Sequence, residues 1–279
     1  MDDKDRIRAD VSKTYGAAVK GGGGCCGGGA AIPKGVTAKF AGYSPEELAK
    51  LPPDAVVNSF GCGNPLAFTE VLPGQTVVDL GSGAGIDILL AAKKVGPTGR
   101  VIGVDMTEEM IARARANIAA AGLANVEVRK GVIEELPVES GTVDWVISNC
   151  VINLSPEKER VFREIARVLK PGGRMVVSDI MVQDLPEWAR QSAALYASCI
   201  GGAISEAAYL AGLRAAGLEE VEVHERLVYD GPQLLALAGT GLERTSCCGP
   251  IDEKVAAGAA EALAGKIWSA KVHARRPAG

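Results

Sequence analysis

Hydrophobic residues downstream of Gln75 form short runs that alternate with longer amphipathic segments. The short runs predict buried β-strands, and the longer segments between them predict helices. The predicted strands are Thr76–Leu80, Arg100–Asp105, Val126–Lys130, Val143–Ser148 and Arg174–Asp179; the predicted helices are Ile86–Val95, Glu108–Ala121 and Pro156–Leu169, the last stopping at Lys170-Pro171-Gly172-Gly173. This alternation is typical of a parallel, doubly wound α/β sheet.

The pattern changes on both sides of this region. Residues 1–20 predict a polar helix, and Ser44 followed by Pro45 is a typical helix start. The predicted elements after Asp184 are helices at Pro186–Cys199 and Ser205–Ala216, a strand at Val221–Tyr229, an apolar helix near Gln233–Ala238, an Ala-rich helix, and a strand at Ile267–Ala274. We therefore divide the chain into an N-terminal part (1–60), a central α/β domain (61–183) and a smaller C-terminal α+β part (184–279).

Composition narrows the classes of partner. The chain has 279 residues and a net charge of −4, which argues against a nucleic-acid partner. No apolar run reaches the roughly 18 residues that span a bilayer, and the charged N-terminus has no apolar signal core behind it. We therefore expect a protein of the reducing cytoplasm without nucleic-acid or membrane partners. The seven cysteines should act there as reactive or ligating thiols rather than as structural bridges.

Two of these cysteines, Cys25 and Cys26, lie in a tract of seven glycines between Gly21 and Gly29. Glycine loses the most backbone entropy on ordering, so the tract predicts no regular element. Two interpretations stay open: a flexible linker, or a mobile loop that carries a thiol to a site and away again.

A glycine-rich turn follows the first predicted strand, in Asp79-Leu80-Gly81-Ser82-Gly83-Ala84-Gly85-Ile86. The dinucleotide fingerprint would require glycine at position 86, where this chain has isoleucine. A carboxylate at Asp79 suits a cationic amino-acid ligand, and Asp105, at the end of the next strand, can accept both hydroxyls of a ribose. The combination resembles class I S-adenosylmethionine-dependent methyltransferases; the alternative is a decayed or nucleotide-binding relative.

Three further cysteines are candidates for substrate binding. Cys150 follows the strand Val143–Ser148, at the edge where open α/β sheets bind ligands. Its alternative role is that of a small core hydrophobe. Cys62 and Cys199 have flanking glycines that leave room for three sulfurs to meet. Soft thiolates without a histidine or carboxylate partner favour a thiophilic, trivalent centre.

A catalytic base for oxygen or nitrogen methylation is not evident. The chain has two histidines, His224 and His273, both on C-terminal strands remote from the glycine motif, and we interpret both as structural. The chemistry should therefore be one that removes no proton from the acceptor.

Five motifs together identify a closer resemblance. They are Phe60-Gly61-Cys62-Gly63-Asn64-Pro65, the Asp79–Asp87 segment, Gly103-Val104-Asp105-Met106-Thr107, Ser148-Asn149-Cys150-Val151-Ile152-Asn153-Leu154, and Ser198-Cys199-Ile200-Gly201-Gly202-Ala203. In order and spacing they resemble arsenite S-adenosylmethionine methyltransferases, over roughly residues 10 to 230. Family members commonly carry an aromatic pair before Gly-Cys-Gly, whereas this chain has Ser59-Phe60 and lacks the first tyrosine hydroxyl near the cofactor.

The resemblance implies a role for each cysteine of the core motifs. Cys150 and Cys199 would hold trivalent arsenic throughout the cycle, and Cys62 would complete the initial three-sulfur site. Cys25 or Cys26 would then form a disulfide with Cys62, and the doublet leaves open which of them does so. Cys247 and Cys248 lie outside these motifs; they either capture or deliver arsenic, or lie in an exposed loop with no catalytic role.

The resemblance also implies a cofactor pocket and a reaction. The implied pocket residues are Asp79, Gly81, Gly83, Asp105, Met106, Ile133, Glu134 and Asn149. S-adenosylmethionine would methylate arsenite and then methylarsenite, leaving S-adenosylhomocysteine, with no metal cofactor and with arsenic detoxification as the outcome. Thioredoxin or glutathione would reduce the resulting protein disulfide, and we expect a monomer.

Two other functions fit the same residues. One is a methyltransferase for a small organic acceptor, in which the cysteines are buried and inert. The other is a non-enzymatic metalloid-binding or thiol-redox protein on a methyltransferase-like fold. Activity that survives serine at positions 150 and 199 would indicate the first, and arsenite binding without turnover would indicate the second.

Overall fold

The computed structural model describes residues 2–20, 42–234, 258 and 260–279. The strands are β1 (Thr76–Leu80), β2 (Arg100–Asp105), β3 (Val126–Lys130), β4 (Val143–Asn149), β5 (Leu169–Val182), β6 (Glu219–Val228) and β7 (Ile267–Arg275). Over these described ranges they form one seven-stranded sheet in the order β3-β2-β1-β4-β5-β7-β6. Cys25, Cys26, Cys247 and Cys248 lie outside the described residues.

The first five strands are parallel, as the alternating pattern predicts. β7 pairs antiparallel with β5 and with β6, so the strands of the C-terminal part extend the same sheet. Because β1, β2 and β4 run in the same direction, their carboxyl ends meet at one edge. The α/β Rossmann-like fold class is confirmed.

The helices cover both faces of the sheet and its carboxyl edge. They are α1 (Asp3–Lys20), α2 (Pro45–Ala49), α3 (Pro53–Val57), α4 (Ile86–Val95), α5 (Glu108–Ala120), α6 (Lys158–Val168), α7 (Glu187–Arg190), α8 (Ala193–Ala197) and α9 (Glu206–Ala215). The predicted helix start at Ser44 is present as a capping box, in which Ser44 and Glu47 cap each other's backbone N–H groups.

Two sequence predictions of local structure are wrong. The single helix expected over Pro186–Cys199 is two short helices, because α7 ends at Arg190 and the Ser192 hydroxyl accepts from the N–H of Leu195 to start α8. The predicted helix stop at Lys170–Gly173 is correct, since α6 ends at Val168, but the strand predicted to begin at Arg174 begins five residues earlier. That strand begins at Leu169, where the backbone becomes extended.

Apolar side chains fill three clusters around the sheet. Two of them pack β-strand residues against helices on the opposite faces, with Phe162 of α6 and Leu89 of α4 among the fully buried side chains. The third cluster lies at the carboxyl edge and combines Val11 of α1 with Cys150 and Cys199. Within the described ranges, no helix is both long and apolar enough to cross a membrane.

Candidate active site

A cavity lies at the carboxyl ends of β1, β2 and β4. Seven of the eight residues predicted for the cofactor line it: Gly81, Gly83, Asp105, Met106, Ile133, Glu134 and Asn149. The eighth, Asp79, is 2% exposed and lies behind the cavity wall near Asp87, which does line the cavity. Cys150 lines the same cavity, so the predicted substrate cysteine and the predicted cofactor residues share one space.

The glycine turn after β1 leaves backbone and polar atoms facing this cavity. Gly81 and Gly85 have φ values of +68° and +101°, and a Cβ on Gly81 would collide with the side chain of Val151. Gly85 is the N-cap of α4 and offers no side-chain cap, which leaves the first N–H groups of that helix for a ligand. Ser82 also lines the cavity, and its buried hydroxyl has no hydrogen-bond partner among the described residues.

Carboxylates concentrate on one side of the cavity. Asp105 accepts hydrogen bonds from the N–H of Gly83 (2.9 Å) and of Thr107 (2.8 Å), which joins the end of β2 to the glycine turn. Burial raises the pKa of Asp105 and raises the pKa of Asp87 to about 6. Burial, followed by the charge of Asp87, holds the pKa of Asp79 well above its usual range. A cationic ligand would relieve this repulsion, and S-adenosylmethionine carries a sulfonium and an ammonium group, so the donor set fits it.

Asn149, at the end of β4, joins the cofactor cavity to the Cys62 segment. Its Oδ1 accepts from the N–H of Cys62 (2.9 Å) and of Gly63 (3.1 Å). Its Nδ2 donates to the carbonyl of Gly63 (2.5 Å), to the hydroxyl of Tyr43 (3.0 Å) and to Asp87 (3.2 Å). Gly61 allows this close approach, because a Cβ there would collide with the Asn149 amide. The side chain therefore lines the cavity while its polar atoms hold the protein together.

The structure brings Cys62, Cys150 and Cys199 together. Cys62 and Cys150 form a disulfide with a Cα–Cα distance of 5.8 Å. The thiol of Cys199 is free and buried, and it donates to the carbonyl of Cys150 (2.7 Å). Burial raises the pKa of the Cys199 thiol, so it is protonated before a ligand displaces the proton.

The Cys62–Cys150 bond differs from the pairing that the family resemblance implies. The resemblance pairs Cys62 with Cys25 or Cys26, both of which lie outside the described residues. Cys62 and Cys150 meet because Asn149, the neighbour of Cys150, holds the main chain of Cys62. This contact across 88 residues of sequence has no signal in the spacing of the cysteines.

The backbone at two of the three cysteines is unusual. Among the described residues, four that are not glycine have positive φ: Cys150 (58°), Asp184 (52°), Cys199 (65°) and Glu220 (51°). Left-handed backbone is disfavoured for residues with a Cβ and concentrates at functional sites. Two of these four residues are the cysteines beside the cavity, which supports a functional role for Cys150 and Cys199.

Helix α1 contributes residues that the sequence analysis did not assign to the site. Arg8 and Tyr15 line the cavity, and Arg8 forms ion pairs with Glu134 (3.1 Å) and with Glu157. Asp87, the first-turn acid of α4, lines it as well. Asp87 could have been found as the acid that ends the glycine motif, whereas the sequence of α1 carries no signal for its contacts across more than 100 residues.

The two histidines lie on neighbouring strands. The rings of His224 and His273 stack with centroids 3.7 Å apart, on β6 and β7. Burial lowers the pKa of His273 to about 4. Neither residue lines the cavity.

Comparison with known proteins agrees with this geometry. Residues 72–229 match a family model described as a methyltransferase domain. The chain is 31% identical to the solved structure of an arsenic(III) S-adenosylmethionine methyltransferase from Chlamydomonas reinhardtii, with a TM-score of 0.60 over 88% of this chain and 74% of that one. The chain belongs to the arsenite methyltransferase family. S-adenosylmethionine is therefore the cofactor of its methyltransferase domain.

Curated arsenite methyltransferases are also similar to this chain. That of Halobacterium salinarum is 48% identical over 65% of this chain, and that of Aquipseudomonas alcaligenes is 43% identical over 56%. The matches cover 46% and 47% of those proteins, so the chain spans about half the length of the curated relatives it matches.

Proposed function

We propose that this protein methylates trivalent arsenic, first arsenite and then methylarsenite, held by the thiolates of Cys62, Cys150 and Cys199. The observation that carries the proposal is the position of Cys150. It lines the cofactor cavity, contacts Cys199 through its carbonyl and is bonded to Cys62. Three sulfurs beside a methyl-donor cavity are suited to a trivalent, thiophilic substrate rather than to an oxygen or nitrogen acceptor.

The protein's own residues orient the reactants. The acids around the glycine turn attract a cation into the cavity, and Asn149 fixes the Cys62 segment at its rim. When bound, S-adenosylmethionine supplies an electrophilic methyl group on its sulfonium. The lone pair of the cysteine-bound arsenic would accept this methyl group, and the electron pair of the methyl–sulfur bond would leave with S-adenosylhomocysteine. Arsenic has no proton to lose, so the site acts by positioning and requires no base.

Electron balance adds a second role for the thiols. Methylation formally oxidises arsenic from the trivalent to the pentavalent state, and two protein thiolates return the two electrons by forming a disulfide. By family resemblance this disulfide joins Cys62 to Cys25 or Cys26; the Cys62–Cys150 bond is a second oxidised form that the chain adopts. An external dithiol of the thioredoxin type, or glutathione, would supply two electrons and two protons to restore the thiols.

The setting that we propose follows from this chemistry. The site requires free thiols, and a reducing cytoplasm keeps them free. We propose that the protein acts as a monomer in arsenic detoxification and holds no resident metal.

Arsenic speciation tests the proposal. The reduced protein is incubated with arsenite, S-adenosylmethionine and a thiol reductant, and the products are separated and identified by mass spectrometry. We expect methylated arsenic from the wild type and none from Cys150→Ser or Cys199→Ser. Wild-type protein that produces no methylated arsenic would overturn the proposal. Methylation that survives both substitutions would exclude the assigned ligands.

A further inference from the structure

Tyr15 of α1 lies between two of the chain segments that carry the arsenic-site cysteines. Its hydroxyl donates to the carbonyl of Ala197 (3.0 Å), two residues before Cys199. Its ring packs edge-on against Phe60, two residues before Cys62, with centroids 5.8 Å apart and an interplanar angle of 81°. One side chain therefore contacts both segments, which are more than 130 residues apart in sequence.

The cysteine segments have separate supports elsewhere. The N–H of Cys62 is held by Asn149, and its carbonyl accepts from the hydroxyl of Ser269 (3.2 Å). On the other side of the site, the hydroxyl of Tyr196 donates to the carbonyl of Leu154 (3.2 Å) and so links α8 to the turn after Cys150. None of these contacts joins the Cys62 segment to the Cys199 segment, whereas the contacts of Tyr15 do.

We propose that Tyr15 is a positioning residue that sets the separation of Cys62 from Cys199, and so selects a substrate that needs three thiols over one that needs two. This inference rests on the proposed function. Arsenite exchanges three oxygen ligands for three sulfurs, so its affinity depends on all three cysteine positions. An organoarsenical with one carbon substituent uses two sulfurs, those of Cys150 and Cys199. The Cys199 thiol already contacts the carbonyl of Cys150 (2.7 Å), and this contact does not depend on the distance to Cys62 that Tyr15 sets.

The surroundings of Tyr15 suit this role. The residue is partly buried in the same apolar cluster as Cys150 and Cys199. Gly16, the next residue, lies against Glu109 of α5, where a Cβ would be 2.8 Å from the carboxylate, so α1 packs against α5 beside Tyr15.

The test compares two ligands in one protein background. Serine at positions 25, 26, 247 and 248 leaves Cys62, Cys150 and Cys199 as the remaining thiols. The protein is reduced with a phosphine, because a dithiol reductant would itself bind arsenic. Affinities for arsenite and for phenylarsine oxide are measured in this background with Tyr15, with Tyr15→Phe and with Thr14→Val. The Thr14 hydroxyl, which bonds within α1 to Asp10, serves as a matched control.

We expect Tyr15→Phe to weaken arsenite binding about three- to tenfold, the usual effect of losing one neutral hydrogen bond. Phenylarsine oxide affinity should stay within about twofold, and Thr14→Val should behave like the parent for both ligands. In the full chain, the KM for arsenite should rise while the KM for S-adenosylmethionine is unchanged, because the phenylalanine ring still lines the cavity.

Other results would overturn the inference. Unchanged arsenite affinity in Tyr15→Phe would exclude a positioning role. An equal loss for both ligands, accompanied by a lower melting temperature, would show that Tyr15 only packs the helix. The affinity measurements do not require methyl transfer, so a parent protein that binds arsenite without methylating it refutes the proposed function and still reports on Tyr15. A parent that does not bind arsenite overturns both.

Discussion

The side chain of Asn149 binds the main chain of Cys62: the Oδ1 atom of Asn149 accepts from the N–H of Cys62 at 2.9 Å, across 87 residues of sequence. The same amide lines the cofactor cavity, so the position of Cys62, the first of the three proposed arsenic ligands, is coupled to the wall of the cofactor site. This contact explains how the fold assembles thiols whose spacing along the chain resembles no known zinc motif.

Replacing Asn149 tests this coupling. Asn149→Ala leaves the N–H groups of Cys62 and Gly63 and the carbonyl of Gly63 without their partner. We expect a loss of about 2 to 4 kcal/mol in the free energy of unfolding, because buried polar groups without partners are costly. Arsenite turnover should fall with it. Urea denaturation that gives a free energy within about 0.5 kcal/mol of the wild type would contradict this role.

Cys62→Ser should separate the two methylation steps. Arsenite has no carbon substituent and uses three sulfurs, whereas methylarsenite uses two, which Cys150 and Cys199 still provide. We expect the variant to lose turnover of arsenite, by at least about tenfold, while it keeps part of its turnover of methylarsenite. The measurement is arsenic speciation with each substrate supplied separately. Equal losses for the two substrates would refute this division of roles.

Arg8 should support cofactor binding from α1. Its guanidinium pairs with Glu134, whose carboxylate also accepts from the Ser155 hydroxyl at 2.7 Å, and all three residues line the cavity. We expect Arg8→Ala to weaken S-adenosylhomocysteine binding about three- to tenfold, a range typical for partly buried charged hydrogen bonds. Calorimetry provides the measurement.

Arg6→Ala is the matched control for that experiment. Arg6 is on the same helix, and its ion pair with Asp3 is exposed on both sides, so its loss should leave cofactor binding unchanged. A similar loss in both variants would show that the overall charge of α1, rather than the Arg8–Glu134 contact, affects the cofactor.

Asp179 gives the protein a stability that depends on pH. The carboxylate is fully buried on β5, where burial raises its pKa to about 7. Between about pH 4 and pH 7 the native carboxyl keeps a proton that the unfolded chain has lost, so the native state binds more protons and stability falls as pH rises. Asp179→Asn removes this titration and keeps the side-chain shape.

The measurable quantity is the difference in free energy of unfolding between Asp179→Asn and the wild type. From pH 5 to pH 8 the variant should gain on the order of 2 kcal/mol relative to the wild type. Taking the difference removes the contributions that both proteins share, such as those of Asp79 and Asp87. Lys158 is not shared in this way, because the charge of Asp179 raises the pKa of its ammonium, which burial lowers to about 8. A difference that stays constant across this range would show that Asp179 does not titrate in it.

The central sheet and its motifs were predictable from sequence for a physical reason. Strands β1 and β2 are buried on both faces and therefore appear as apolar runs with clear ends. Strand β3, at the edge of the sheet, instead alternates valine with charged residues. All three strands match the prediction at both ends. Once the end of β2 is predicted, Asp105 is identified as the acid at that end. Glycine at positions that require positive φ, such as Gly81, marks the turn beside the cofactor cavity.

The contacts that complete the site were not predictable in this way. The Cys62–Cys150 bond, the Tyr15–Phe60 packing and the Arg8–Glu134 ion pair each join residues far apart in sequence. Periodicity reports only which face of an element is buried, and α1 has the pattern of an ordinary polar helix. The left-handed backbone at Cys150 and Cys199 likewise comes from tertiary packing, because cysteine does not favour this conformation.

X-ray absorption spectroscopy at the arsenic edge tests the central claim most directly. The sample is the phosphine-reduced protein with serine at positions 25, 26, 247 and 248, loaded with one equivalent of arsenite. We predict three sulfur neighbours and no oxygen neighbour around arsenic. In Cys62→Ser, Cys150→Ser and Cys199→Ser derivatives, one sulfur should be replaced by oxygen. Oxygen ligands in the three-thiol protein, or three sulfurs that persist after Cys199→Ser, would contradict the assignment of Cys62, Cys150 and Cys199 as the arsenic ligands.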